Sequence, residues 1–370
     1  MRAAVLEASD QPLRIEELAE PAPGPGEVLL ATTACGVCHT DLHVMKGEVA
    51  FPLPAVLGHE VSGVVSALGQ GVEHVAVGDR VVASFIMPCG WCRHCVRGAE
   101  DLCETFFSLN RLRGALYDGQ SRLRRSDGSP VAMYSMGGLA ERCVVPATDV
   151  FGVPGSLDLR DVAILGCSML TAYGAVSTVA GVRPGDDVAV VAVGGVGSAL
   201  IQLALAFGAA RVIAVDVSEE KLKAAEGLGA THTVDASAVD AVETVREITG
   251  GRGVAVAFEA LGSAATFDSA CGMADDGGAV VVIGIAPKGV TGQVDLSRLP
   301  RRKLRILGSY GGRPRTDMPA LIRLVERGVL RPQAMVSRRF ALEEADSAYA
   351  ALARGEIVGR AVVDVGPAAG

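Results

Sequence analysis

Four cysteines, Cys89, Cys92, Cys95 and Cys103, stand in a C-x2-C-x2-C-x7-C run. Four thiolates at this spacing can close a tetrahedral shell around one Zn²⁺ and leave no position for substrate, so such a site holds structure and does no chemistry. The intervening Gly90, Trp91, Arg93 and His94 suit a tight loop. An iron–sulfur cluster fits less well. The ferredoxin run places its fourth cysteine after three residues and follows it with proline, whereas here seven residues intervene and Glu104 follows. Four unrelated buried thiols are the remaining alternative, and the metal-like spacing weighs against it.

Five cysteines remain, two of them in phrases with chemical content: Cys38-His39-Thr40-Asp41-Leu42-His43 and Gly166-Cys167-Ser168, with Gly58-His59-Glu60 between them. A catalytic zinc needs three protein ligands and one open position. Cys38, His59 and Cys167 would supply two thiolates and an imidazole. Singly, each piece is weak: Gly-His-Glu is more often structural, and Cys167 lies in an apolar run that reads as core. Their presence together, beside the four-cysteine loop, favours a second metal site.

The chain resembles the zinc-containing medium-chain alcohol dehydrogenase family, longer-chain branch, over essentially its whole length. The resemblance rests on Gly36-Val-Cys38-His39-Thr40-Asp41, Gly58-His59-Glu60-Val-Ser-Gly63, the four-cysteine loop, Leu165-Gly-Cys167, Arg113-Gly-Ala-Leu-Tyr-Asp118-Gly, and the glycine-rich turn described below. It implies two zincs per chain, a catalytic one on Cys38, His59 and Cys167 and a structural one on Cys89, Cys92, Cys95 and Cys103. Glu60 resembles a glutamate that approaches the catalytic zinc during ligand exchange. Zinc acidifies a bound alcohol, and the family moves the released proton through residues matching Thr40 and His43. Asp41 would accept the second ring N–H of His59 and so orient it. Cys35, Cys143 and Cys271 match no family ligand and read as reduced thiols.

The same resemblance implies NAD as cofactor. Thr171, Lys221 and Arg360 match cofactor contacts, and His39 stands where an arginine is common, facing the pyrophosphate. Histidine brings less fixed positive charge at neutral pH, which would loosen cofactor binding. Phe85 matches a substrate-pocket position, with Met133 and Tyr134 as further candidates. The segment from Asn110 to Met136 reads as a loop-rich insertion that could wall this pocket.

The elements that must position these residues fall into two textures. From Asp186 onward strand and helix patterns alternate: strands at Val188–Val193, Arg211–Asp216, Val254–Phe258 and Ala279–Ile283, and helices from Ser198 to Phe207 and Ser218 to Leu228. Such alternation implies a parallel sheet covered by helices. The turn Ala192-Val193-Gly194-Gly195-Val196-Gly197 reads as a dinucleotide fingerprint with alanine at the first glycine position. Pyrophosphate would sit over the following helix N-terminus. Asp216 closes the second strand nineteen residues after Gly197, and an acid there hydrogen-bonds a ribose hydroxyl and repels a 2′-phosphate, favouring NAD over NADP. The uncharged stretch Val188–Ala210 is long enough to span a bilayer, but its glycines and the strand ending on Asp216 favour a buried βα unit.

At 370 residues the chain suits two domains. The expected fold class is α/β: a Rossmann doubly wound parallel sheet, residues 168–309, plus a β-rich GroES-like catalytic domain, residues 1–167 and 310–370. Helical patterns at Asp317–Arg327 and Leu342–Ala353 fit the returning tail, whose return the family fold alone implies. A net charge of −8 argues against nucleic acid as a main partner. The arginines at 111–125 and 298–305 read as solvated faces. The N-terminus lacks a signal-peptide core, giving the expectation of a cytoplasmic protein, and no membrane association is expected.

The leading reading is an NAD-dependent zinc alcohol dehydrogenase, acting on a small-molecule alcohol or aldehyde and assembled as a dimer or tetramer. A reductase of the same family working on an aldehyde or semialdehyde is the second. A zinc- and nucleotide-binding sensor without turnover is the third, disfavoured because it would not need Thr40 beside an open metal position.

Overall fold

The computed structural model describes residues 1–366. The chain divides into two compact units. One comprises Met1–Leu170, Arg313–Arg327 and the chain from Val336 onward; the other comprises Thr171–Gly312 and Gly328–Met335. The tail is therefore not continuous with the first unit as the 310–370 boundary implied. Residues 328–335 lie with the second unit, where Gln202 Oε1 accepts Arg331 N at 2.8 Å and its Nε2 donates to Arg331 O at 3.5 Å.

The second unit is built on a six-stranded parallel sheet, ordered His232–Asp235, Arg211–Asp216, Asp187–Val191, Val254–Glu259, Ala274–Val282, Arg305–Gly308. In chain order this is the 3-2-1-4-5-6 arrangement whose order reverses beside the first strand, where dinucleotides bind. Helices cover a sheet of this kind on both faces, which is why its strands read as unbroken apolar runs; Val188, Ala189, Val190, Val212, Ile213 and Ala214 are all fully buried. Helix starts follow their capping residues. Ser218 accepts Lys221 N, Asp240 accepts Val242 N and Glu243 N, and Ser263 accepts Thr266 N, each satisfying donors that have no partner inside the helix.

The glycine-rich turn is tighter than its sequence implies. The strand stops at Val191 and the helix Gly195–Ala206 begins three residues before Ser198. Ala192 makes this possible with φ of +74°, a left-handed conformation that costs a non-glycine residue about 1–2 kcal/mol. At Gly197 a Cβ would lie 2.1 Å from Ala192 O, so no side chain fits there. The stretch 188–210 is thus strand, turn and helix. Among the described residues no single helix is long and apolar enough to cross a membrane.

In the first unit a seven-stranded sheet runs Val150–Gly152, Arg80–Ala83, Val61–Leu68, Glu27–Val37, Arg360–Asp364, Val336–Ala341, with Arg142–Pro146 also pairing Glu27–Val37. A second sheet joins Arg14–Glu17, Arg2–Leu6, Ala55–Val56, Pro130–Met133 and Leu123–Arg124. The 110–136 insertion is accordingly more ordered than a loop: a π-helical turn at Phe106–Arg111 leads into a short hairpin that extends this sheet. The tail helix spans Pro314–Glu326, starting earlier than its apolar pattern because proline occupies its first turn. The second tail pattern is a 3₁₀ turn at Leu342–Glu344 followed by the helix Ala345–Ala353.

Ala192→Gly should relieve the left-handed strain. A thermal midpoint raised by an amount equivalent to at most about 1 kcal/mol is expected, since glycine returns part of the gain as chain entropy. A lowered midpoint would contradict the assignment of strain to this residue.

Candidate active site

Strand register assembles the site. Cys38 directly follows the strand Glu27–Val37. On one side Val61 pairs with Cys35, so His59 and Glu60, just before Val61, arrive beside that strand end. On the other side Ala361 pairs with Val37, which delivers Arg360 to the same place. The next strand pairs Ala83 with Val61, and just beyond it Phe85 N donates to Gly166 O at 2.9 Å, tying in the segment that carries Cys167. Ligand atoms of Cys38, His59, Glu60 and Cys167 all fall within 4.8 Å of one another, and all four residues are buried. Gly36 is needed for this approach: a Cβ there would lie 2.2 Å from Glu60 Oε2.

The polar neighbours fix the donors. Asp41, fully buried on the short helix His39–Met45, lies 3.1 Å from His59 Nδ1 through Oδ1. That oxygen also accepts Gly58 N at 3.1 Å, and Oδ2 accepts the hydroxyl of Tyr349 at 3.0 Å. With Nδ1 so engaged, Nε2 is the nitrogen left to face the thiols. Arg360 Nη2 sits 3.1 Å from Glu60 Oε1, and its Nη1 donates to Val37 O at 3.2 Å. Neither Glu60 oxygen completes a hydrogen bond.

Electrostatically the cluster fits a cation. Burial works to lower the His59 pKa, but the charge and hydrogen bond of Asp41, together with Cys38, push it up to about 10. The imidazole thus takes a proton where the anionic donors call for positive charge. Burial raises the Glu60 carboxyl to about 7 against the pull of Arg360, with Cys38 adding to the rise. The Cys38 thiol is held well below its ordinary range, foremost by its neighbour Cys167 and further by Arg360 and His59, against burial. Two thiols, an imidazole and a hydrogen-bond-starved carboxylate match the N, S and O donors that zinc takes.

Cys89, Cys92, Cys95 and Cys103 form a second cluster with their sulfurs within 4.8 Å. Backbone N–H groups point at them: Cys89 N lies 3.2 Å and Phe106 N 3.4 Å from Cys103 Sγ, and Cys92 N lies 3.4 Å from Cys89 Sγ. Burial opposes ionisation of Cys92, yet N–H groups of Cys95, Glu104 and His94 bring its thiol down to about 6. The set suits a closed thiolate shell. Cys35, Cys143 and Cys271 are buried free thiols.

Around the first cluster, Thr40 Oγ1 lies 3.6 Å from Cys38 Sγ, and His43 Nδ1 is bonded to the Glu48 carboxylate. The rings of Phe85 and Tyr134 each have centroids 5.9 Å from that of His59, and Phe51 packs edge-on against Tyr134 at 4.9 Å. Met133 is fully buried and pairs with Val56. His39 is exposed at the first position of its helix, and Thr171 is buried one helical turn after Cys167.

In the second unit Gly194 caps the helix, and the N–H groups of Gly195, Val196 and Gly197 precede its first bond, from Ser198 N to Gly194 O at 2.8 Å. Asp216 has a task that its spacing did not reveal. Its Oδ2 accepts Val193 N at 2.7 Å, and its Oδ1 accepts Val217 N at 2.8 Å and Ser218 N at 3.0 Å, pinning the turn. Lys221 stands in the first turn of the helix Glu219–Gly227. Sequence reasoning also missed Tyr349, Glu48 and Phe51. Glu48 lay within reach as the fifth residue after His43; Tyr349 carried no local signal.

An alcohol dehydrogenase GroES-like domain model matches residues 24–155, and a zinc-binding dehydrogenase model matches residues 195–327. The NDMA-dependent alcohol dehydrogenase of Amycolatopsis methanolica is 35% identical over 360 residues, covering 96% of each chain. The crystal structure of an alcohol dehydrogenase zinc-binding domain protein from Burkholderia ambifaria is similar with a TM-score of 0.94 and 34% identity, over 99% of this chain and 98% of that one. Benzyl alcohol dehydrogenase from Acinetobacter calcoaceticus gives 0.92 and 30% over 99% of both. The register-built donor cluster, the four-cysteine lobe and the doubly wound sheet thus occur in a chain that belongs to the zinc-containing medium-chain alcohol dehydrogenase family and is an alcohol dehydrogenase.

Proposed function

We propose that this alcohol dehydrogenase uses NAD and two zincs per chain, and that it oxidises primary alcohols carrying a flat apolar group, such as aryl alcohols. The observation that carries the reading is the buried set Cys38, His59, Glu60 and Cys167, in which three donors can hold zinc while the Arg360-paired carboxylate stands by. When bound, zinc polarises the alcohol hydroxyl and the nicotinamide accepts hydride. Asp41 and Tyr349 lock the His59 ring so that Nε2 faces the ion. Thr40 Oγ1 is the acceptor for the substrate's hydroxyl proton. His43, half-buried and held through Nδ1 by Glu48, passes that proton to solvent. The rings of Phe85, Tyr134 and Phe51 exclude water and favour an aromatic substrate by edge-to-face contact, in keeping with the likeness to a benzyl alcohol dehydrogenase.

The second cluster, on Cys89, Cys92, Cys95 and Cys103, holds the structural zinc. The first turn of the helix Gly195–Ala206 takes the pyrophosphate, Asp216 with Lys221 takes the adenosine ribose, and His39, Thr171 and Arg360 complete the cofactor contacts. The domain pair is a GroES-like catalytic unit and a Rossmann unit. The protein is cytoplasmic and assembles as a homo-oligomer.

A panel of alcohols followed by nicotinamide absorbance with NAD and NADP tests the reading. Turnover of benzyl alcohol with NAD, exceeding that with NADP, is expected; turnover with NADP alone would overturn the cofactor assignment. Because both Asp216 oxygens accept backbone N–H groups of the turn, Asp216→Asn keeps one acceptor there where glycine keeps none, and its melting midpoint is measured alongside the kinetics. The variant should raise the NADP-to-NAD ratio of kcat/KM on the order of tenfold, as the charge that repels the 2′-phosphate is removed.

The two metals should separate by mutation. Cys103→Ser opens a closed thiolate shell and should lower the melting midpoint sharply. Cys167→Ser should melt near the parent while losing one zinc and its activity. Parental activity in the Cys167 variant would contradict the catalytic assignment.

A further inference from the structure

Asn110, at the start of the insertion, is fully buried. Its Nδ2 donates to Ser135 O at 2.7 Å and to Ala115 O at 3.3 Å, while Oδ1 is buried without a hydrogen-bond partner. Ser135 is fully buried too, and it is a non-glycine residue at φ of +55°. Its hydroxyl donates to Phe85 O at 2.8 Å, and Phe85 N donates to Gly166 O at 2.9 Å. One polar chain therefore runs from the insertion through Phe85 to the residue before Cys167. The chain neighbours of its two anchors also meet at the site: Tyr134 precedes Ser135, and Arg111, after Asn110, lays its guanidinium 4.1 Å from the Tyr134 ring centroid.

This arrangement is costly. A buried unsatisfied amide oxygen and a left-handed serine each disfavour the fold, and both lie beside the rings that face His59. Costs of this kind persist where surrounding structure over-determines them, and they cluster at ligand clamps. We infer that Asn110 and Ser135 are positioning residues which aim Tyr134 and Phe85 at the substrate and so set the bulk of alcohol that the site accepts. The inference rests on the reading of these rings as the substrate wall. A shift of about 1 Å in such a wall alters rates through fit, and it does so most for the substrates that fill the space.

Kinetics of Asn110→Ala and Ser135→Gly on a series of primary alcohols from ethanol to benzyl alcohol, with zinc content and melting midpoint alongside, test this. Glycine suits the left-handed backbone at 135, which offsets part of the cost of removing the hydroxyl that reaches Phe85, so that variant should fold with a melting midpoint close to the parent's. Both variants should lose on the order of tenfold in kcat/KM for benzyl alcohol, mainly through KM, and under about threefold for ethanol, with parental zinc content. An equal fractional loss along the series, or an unchanged profile in Ser135→Gly, would reduce the pair to a structural clamp and overturn the inference. If Asn110→Ala does not fold, Ser135→Gly decides alone. A parent that prefers small alcohols overturns the aryl reading, while the change in profile still decides the role of Asn110 and Ser135.

Discussion

The pairing of the strand Glu27–Val37 with its two neighbours is the constraint on which the site depends. Side chains alternate along a strand, so a slip of one residue would turn each set to the wrong face. In the observed register Cys35 meets Val61 and Val37 meets Ala361. That places a thiol, an imidazole with its following carboxylate, and a guanidinium at one strand end. Their sequence positions span 38 to 360, yet the sheet leaves them little freedom. Gly36 completes the arrangement by leaving room for the Glu60 carboxylate.

Such a concentration of buried polar groups is unfavourable in isolation. A charge removed from water costs several kcal/mol unless it is paired, and here Arg360 and His59 share the work of balancing Glu60, Asp41 and the Cys38 thiol. The Asp41 carboxylate and the Cys38 thiol beside His59 raise its affinity for a proton against burial, which is the sign of charge that the pocket favours. A divalent ion meets that need better than a proton, because it engages several donors at once. The chain thereby keeps an energetic demand in reserve at the strand-built cluster.

The two clusters of potential donors were legible for different reasons: the four-cysteine lobe through residue type and spacing, and Cys38, His59 and Cys167 through the family resemblance. The four cysteines of the lobe carried their signal locally, whereas the phrases around Cys38, His59 and Cys167 are weak singly and gained weight only together. The doubly wound sheet was legible as well, since a buried parallel strand leaves an unbroken apolar run such as Val188–Val191. What could not be read depends on long-range contact. Tyr349 reaches Asp41 across 308 positions of chain, and the division of the tail at residues 328–335 goes with long-range contacts such as those of Arg331 with Gln202 and Gly227. Asn110 and Ser135 looked like ordinary loop residues; only the fold shows one clamping the other in a strained backbone. The spacing of Asp216 pointed to a ribose role and gave no sign of its grip on Val193 and Ser218.

Zinc K-edge absorption of the purified protein, with metal content measured on the same sample, tests the central claim most directly. Two ions per chain sharing the six cysteines of the two clusters, Cys38 and Cys167 in one and Cys89, Cys92, Cys95 and Cys103 in the other, should give an average of about three sulfur neighbours per zinc, with nitrogen or oxygen completing the shell. A single zinc per chain with four sulfur neighbours would show that the strand-built cluster holds no metal and would contradict the account.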